Sequence, residues 1–176
     1  ERRSLRKPAV DSLSVRLVLH TRFMATATTP RSRAQNERRI RVLETAMRMA
    51  GGGGYEAVQM RAVAEESGVA LGTIYRYFSG KDELLIAGLA GWLRRSRRRI
   101  EGAGIPGETP AERLIGLLEQ SATRTQQRPV LMGALVTALG TTSESAAPYK
   151  LDVEKELRAL VVTALGPSPN IDAAGV

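Results

Sequence analysis

The chain has 176 residues, of which 43% are hydrophobic and 4% aromatic, enough for one medium globular body or a small module on a larger one. It contains no cysteine, which excludes disulfides, thiol catalysis and a thiolate zinc site, and fits a reducing cytoplasm. The formal charge of +8 is uneven: residues 1–50 hold 12 Lys and Arg against 4 Asp and Glu, and the rest hold 14 and 14. A basic front on a neutral body suits a module that meets a polyanion, although charge alone would equally suit RNA or an anionic membrane.

Residues 1–23 have a basic start and a weakly apolar middle, but Asp11 and Arg16 interrupt any export signal. Translation is expected to begin at Met24, which would leave the single histidine, His20, outside the protein. Residues 1–35 read as a flexible basic extension, and the run Thr28–Arg41 as an arm suited to a phosphate backbone. From Asn36, the positions Ile40, Leu43, Ala46, Met47 and Ala50 keep one helical face apolar, and this helix is expected to end at Gly51. The run Gly51–Gly54 lacks a preceding strand and a following Lys-Ser or Lys-Thr, so it reads as a loop rather than a phosphate cradle.

The next stretch, GYEAVQMRAVAEESGVALGTIYRYFSGKDELL, reads as a helix-turn-helix. Met60, Val63 and Ala64 recur at helical spacing before Gly68, which supplies the permissive backbone of a sharp turn. Leu71, Ile74 and Phe78 then repeat at i, i+3 and i+7, which places Thr73, Tyr75, Arg76 and Tyr77 on or beside the outward face. Spacing alone suits an ordinary packed pair of helices as well as a reader of a major groove.

A further helix starts at Lys81, with Asp82 and Glu83 in its first turn where negative charge suits the dipole. Leu85, Leu89 and Trp92 form its apolar stripe. The basic cluster Arg94–Arg99 begins about 20 Å along its axis and reads as a solvated helix end. Residues 102–109, GAGIPGET, are a linker, and Thr109-Pro110-Ala111-Glu112 is a capping box with proline at the first helical position. Leu114, Leu117, Leu118 and Ser121 mark one helix beyond it. Leu131, Leu135 and Leu139 mark a second after Pro129, and Val153, Leu157, Leu160, Val161 and Ala164 a third within 147–165. No strand pattern appears, so the fold expected is all-α: a three-helix DNA-binding module at 36–80 and a helical body at 81–176. Asn170 reads as the cap of a helix barely begun by Ile171–Val176.

The glycine-valine turn at Gly68-Val69, the run Gly72-Thr73-Ile74-Tyr75-Arg76-Tyr77-Phe78 and the following Lys81-Asp82-Glu83-Leu84 closely resemble the DNA-binding module of the TetR family of one-component bacterial regulators. Family members often have serine where Gly80 stands, a change of a few tenths of a kcal/mol in capping. Within the family, the stretch is most similar to actinobacterial repressors of cholesterol catabolism. The family normally adds two long C-terminal helices that build the dimer interface, so the chain is expected to be a fragment.

The resemblance implies a dimeric, cytoplasmic repressor of lipid or steroid metabolism genes that binds a palindromic double-stranded operator and is released by a small apolar effector. A steroid or long-chain acyl-CoA ester is the effector class implied. Carried over by position, Arg61 is a candidate base reader, and arginine suits guanine O6 and N7. Leu71, Gly72 and Thr73 would lie against base edges, and Thr73, Tyr75, Tyr77 and Lys81 match positions that bind phosphate. Effector candidates are Leu89, Trp92, Leu117, Leu118, Leu135 and Val136, each of which would serve equally as plain core. No cofactor, metal or membrane partner is expected. Catalysis is not expected either, since no acids, bases or nucleophiles converge. The alternative is an effector-independent helix-turn-helix protein that binds DNA or docks a partner.

Overall fold

The structure, a computed structural model, describes residues 30–166. Every regular element among them is helical, as expected: α1 (Pro30–Ala57), α2 (Met60–Ser67), α3 (Leu71–Tyr75), α4 (Lys81–Ala103), α5 (Pro110–Gln126), α6 (Pro129–Leu139), a 3-10 turn (Glu144–Ala146) and α7 (Ala147–Leu165). The chain divides into two compact units, 1–37 and 38–176, and the packing described below is that of the second. The expectations for Met24, His20 and the 170–176 segment fall outside the described residues.

α1 begins at Pro30 rather than at Asn36, and it continues through Gly51–Gly53 instead of stopping there. Mid-helix glycines cost about 1 kcal/mol each relative to alanine, so tertiary anchoring must offset them. The anchor is the next turn, where Val58 is fully buried and the half-buried Tyr55 gives its hydroxyl to Asp82 at the start of α4. The kink itself falls at Gly54, whose φ of 74° and ψ of −165° lie where side chains are disfavoured.

α2 ends as its sequence dictates. Gly68 takes the left-handed conformation (φ 65°, ψ 29°), its N–H bonds the Glu65 carbonyl at 3.3 Å, and the Val69 N–H reaches back to Ala64 at 3.2 Å. This is a Schellman closure, and the buried Val69 and Ala64 supply its apolar contact. The capping box at Thr109 also forms: the Glu112 N–H donates to Thr109 Oγ1 at 3.2 Å, and the Thr109 N–H donates to Glu112 Oε2 at 3.2 Å.

α4 is the central rod. Leu84, Leu85 and Ile86 are fully buried, and Val153, Leu160 and Ala164 of α7 and Ala134, Leu135 and Ala138 of α6 belong to the same core. The arginine cluster on α4 is not simply a solvated end. Arg94 Nε and Arg97 Nε donate to the two carboxylate oxygens of Glu156 on α7, at 2.7 and 3.1 Å, and Glu156 is 5% exposed. A buried carboxylate demands such partners, and a helical repeat alone does not show which facing helix provides them.

Burial pushes the Glu156 carboxyl up, but hydrogen bonds from Arg94 and Arg97 outweigh it and hold the group below its ordinary value of 4.5. A lowered native value contributes stability that is complete above 4.5 and drains away as pH falls toward that native value. Glu156→Gln is therefore expected to cost about 2 kcal/mol at pH 7, near the worth of charge-assisted hydrogen bonds. The full penalty of a dry broken pair does not apply, because the Arg94 side chain is 40% exposed and can turn to water. Urea unfolding at pH 7, 5 and 4 checks this, and the gap between variant and parent must narrow as pH falls.

Candidate nucleic-acid interface and effector cleft

The helix-turn-helix presents its candidate readers unevenly. Arg61, in the first turn of α2, is exposed, as are Gly72, Tyr75 and Arg76, whereas Leu71, Thr73 and Tyr77 are half-buried. Val63 and Ile74 lock the two helices together from beneath, and Arg48 of α1 braces Glu66 of α2 at 2.6 Å. A Cβ built on Gly72 would meet no heavy atom within 4 Å, and Gly72 has no positive φ. Nothing within the fold requires glycine there, so the free approach it leaves faces outward. Arg76 lies 5.7 Å from the centroid of the Tyr77 ring.

Lys81 is differently placed from the other candidates. Its ammonium sits 3.8 Å over the Tyr55 ring, 3.1 Å from Glu56 Oε2 and 3.4 Å from the Tyr55 carbonyl. Asp82 and burial together push the Tyr55 hydroxyl up to about 12, burial contributing most, so Tyr55 stays a neutral donor beneath that cation.

One set of contacts went unseen in the sequence. Where the recognition segment ends, Ser79 donates its N–H to Glu83 Oε2 at 2.8 Å and its hydroxyl to Glu83 Oε1, and the Ser145 hydroxyl lies 3.2 Å from that of Ser79. Glu83 is 5% exposed. Burial raises its carboxyl, yet the Ser145 and Ser79 hydroxyls and the Ser79 N–H outweigh that and hold it below the usual range. Beside this knot, the Tyr149 ring of α7 packs tilted against Phe78, with centroids 5.7 Å apart, and its hydroxyl donates to the Tyr77 carbonyl.

A cleft of about 850 Å³ opens between α1, α4, α5 and α6. Of the effector candidates, Trp92 and Leu135 line it, with Met47, Val130, Leu131 and Met132 completing an apolar wall. The remaining wall is basic: Arg48, Arg95, Arg99, Arg124 and Arg128 face a single carboxylate, Glu44. A smaller chamber of about 230 Å³ shares Arg99 and Arg124 with it and adds Leu117, Ile100, Ile105 and Pro106. Leu89 is half-buried and lines neither space. Leu118 and Val136 need correction: they are 59% and 69% exposed and line neither, because their helices pack through the adjacent positions Leu117 and Leu135 instead.

Residues 42–87, which hold this reading head and its two flanking supports, match the family described as bacterial regulatory proteins, tetR family. Over these residues the chain is similar to the tetR family. The transcriptional repressor KstR of Rhodococcus jostii strain RHA1 is 42% identical over 134 residues, covering 76% of this chain and 62% of that protein. KstR of Mycobacterium tuberculosis is 39% identical over the same length, covering 76% and 61%. The regulator BetI of Brucella melitensis is more distant, at 30% over 100 residues, covering 57% and 50%. A tetR-family regulator from Rhodococcus sp. RHA1 superposes with a TM-score of 0.67 at 29% identity, covering 78% of this chain and 73% of that one. The chain thus spans about three fifths of the length of the KstR proteins it matches. These relatives bear the names of regulators, not of enzymes. Among the described residues, no helix is long and apolar enough to cross a membrane.

Proposed function

We propose that the protein is a cytoplasmic transcriptional repressor that binds a palindromic operator as a dimer and releases it when an acyl-CoA ester enters the cleft. The observation that carries the DNA-binding half is the outward face of α2 and α3, where Arg61, Gly72 and Tyr75 stand exposed over a packed support. Arg61 reads a base, Leu71, Gly72 and Thr73 lie on base edges, and Thr73, Tyr75, Tyr77 and Lys81 hold the backbone. Selection of bound duplexes from a random pool tests this. An inverted repeat with half-sites about one helical turn apart is the result expected, and recovery of unenriched sequence would overturn it.

Arg61→Ala is expected to lose about 1–3 kcal/mol of discrimination at one base pair per half-site. Competition binding on point-mutated operators checks it, and an equal loss on every site would remove Arg61 from the readers. Dimerisation draws support from α7, where Leu157 and Val161, one helical turn apart, are 49% and 41% exposed.

For the effector, the amphipathic cleft favours a ligand with an apolar body for the Trp92 wall and a multiply anionic head for the arginines. The similarity to the KstR repressors and the resemblance to regulators of cholesterol catabolism point to a steroid or long-chain acyl-CoA ester, and to lipid or steroid catabolic genes as targets. Release requires the ligand to prefer the conformation that does not bind DNA. α4 is the lever, since its front end carries the reading head while Trp92, Arg95 and Arg99 face the cleft. Half-sites about 34–36 Å apart tolerate little change in the spacing of two heads.

A further inference from the structure

The reading head is held from behind by a segment outside the helix-turn-helix. Between α6 and α7 the chain runs through Gly140 and Thr141 into the 3-10 turn, and Lys150 Nζ donates to the Thr141 carbonyl at 2.5 Å, closing the loop on itself. Ser143 and Ser145 bond to one another at 2.8 Å within it, and Ala146 is fully buried. From this stiffened loop, two side chains reach the far end of the recognition segment. Ser145 meets Ser79, and the tilted Tyr149 ring packs against Phe78 while its hydroxyl donates to the Tyr77 carbonyl. α3 is only five residues long, too short to hold its own orientation by intrahelical bonds.

We infer that the Thr141–Lys150 loop is a strut that sets the position of the recognition helix, with Tyr149 as its positioning residue, so that α6 forms a second connection from the cleft to the DNA-reading face. α6 contributes Pro129, Val130, Leu131, Met132 and Leu135 to the cleft wall, and its C-terminal end passes directly into the strut. A displacement of α6 therefore reaches Tyr77 and Ser79 through the strut as well as along α4. Tyr149 touches the backbone of the reading head and acts on DNA only through it. The operator part of this inference rests on the DNA-binding reading above.

The test compares the 176-residue chain with Tyr149→Phe, which keeps the ring on Phe78 and deletes only the hydroxyl. Hydrogen–deuterium exchange of amides 71–79 is expected to quicken about five- to tenfold, as the loss of a hydrogen bond to a part-buried carbonyl implies. Amides 153–164 of α7 should stay as in the parent. Affinity for the selected operator should fall about three- to tenfold with an unchanged salt slope, since no charged group is removed. Unchanged exchange at 71–79, or a uniform rise across the chain, would overturn the strut. A loss of affinity with exchange at 71–79 unchanged would make Tyr149 a direct operator contact instead, and local quickening with unchanged affinity would remove its positioning role. If the parent selects no operator, the exchange data still decide the strut while the DNA-binding reading fails. Should Tyr149→Phe not fold, Ser145→Ala loosens the same end of the head and is judged by the same outcomes.

Discussion

Phe78→Ala is expected to destabilise the fold by about 3–5 kcal/mol, the usual cost of emptying a buried aromatic site. Phe78 is 1% exposed and sits where the last turn of the helix-turn-helix enters the body. Its ring is met by Tyr149 at 5.7 Å and Tyr77 at 6.4 Å, and the Arg39 guanidinium of α1 lies 5.6 Å from its centroid. Truncation removes the apolar contact, both aromatic neighbours and the cation at once, so the site cannot collapse from one side. Urea unfolding reads the loss as a lower midpoint at constant slope. Operator binding should fail even at temperatures where the variant remains folded, because the head loses the ring through which its last turn is seated on the body. Ile74→Ala, equally buried but inside the head, is the comparison. A cost below about 1 kcal/mol for Phe78→Ala would mean that the head is not seated through this residue.

The parts of this molecule that were legible in its sequence are those whose chemistry is local. Gly68 announces its left-handed turn because few other residues adopt it, and Thr109 and Glu112 announce a cap because the two bonds that satisfy it run between residues three apart. The stripe Leu71, Ile74, Phe78 was readable for the same reason. Glu156 was not, since nothing within its own helix distinguishes a carboxylate that meets Arg94 and Arg97 from one that meets water. Arg95 and Arg99 sit in the same run as those two and face the cleft instead, a division set by about 100° of rotation per residue and by what lies opposite. Leu118 and Val136 were mistaken for interior positions because a leucine- or valine-rich helix offers more apolar residues than one packed face can cover. Tyr149 could not be found at all by pattern, as its partners Tyr77 and Phe78 lie more than seventy positions earlier in the chain.

The largest effect on regulation is expected from the double change Arg99→Glu and Arg124→Glu. These two arginines border both the 850 Å³ cleft and the 230 Å³ chamber, so any ligand that spans the two passes between them. No carboxylate lines the smaller chamber, and the larger has only Glu44, so the pair stands in a local field that favours an anion. A charge-assisted hydrogen bond to a phosphate oxygen is worth about 1.5–3 kcal/mol, so losing two multiplies the ligand concentration needed for release by about 100-fold or more. Reversing the charge adds repulsion to that loss. Arg99 stands eighteen residues beyond Lys81, about 27 Å along α4 from the reading head, so operator affinity without ligand should change little. Titration with oleoyl-CoA and a steroid CoA ester, followed by release of labelled operator and by the emission of Trp92, separates the possibilities. If both esters release operator from the parent and from the double variant alike, the arginines hold no headgroup and recognition lies with the apolar wall. If neither ester acts on the parent, the acyl-CoA proposal fails while operator selection still stands on its own. A parent that responds and a variant that does not would place the phosphates between Arg99 and Arg124, with the acyl body against Trp92 and Leu135.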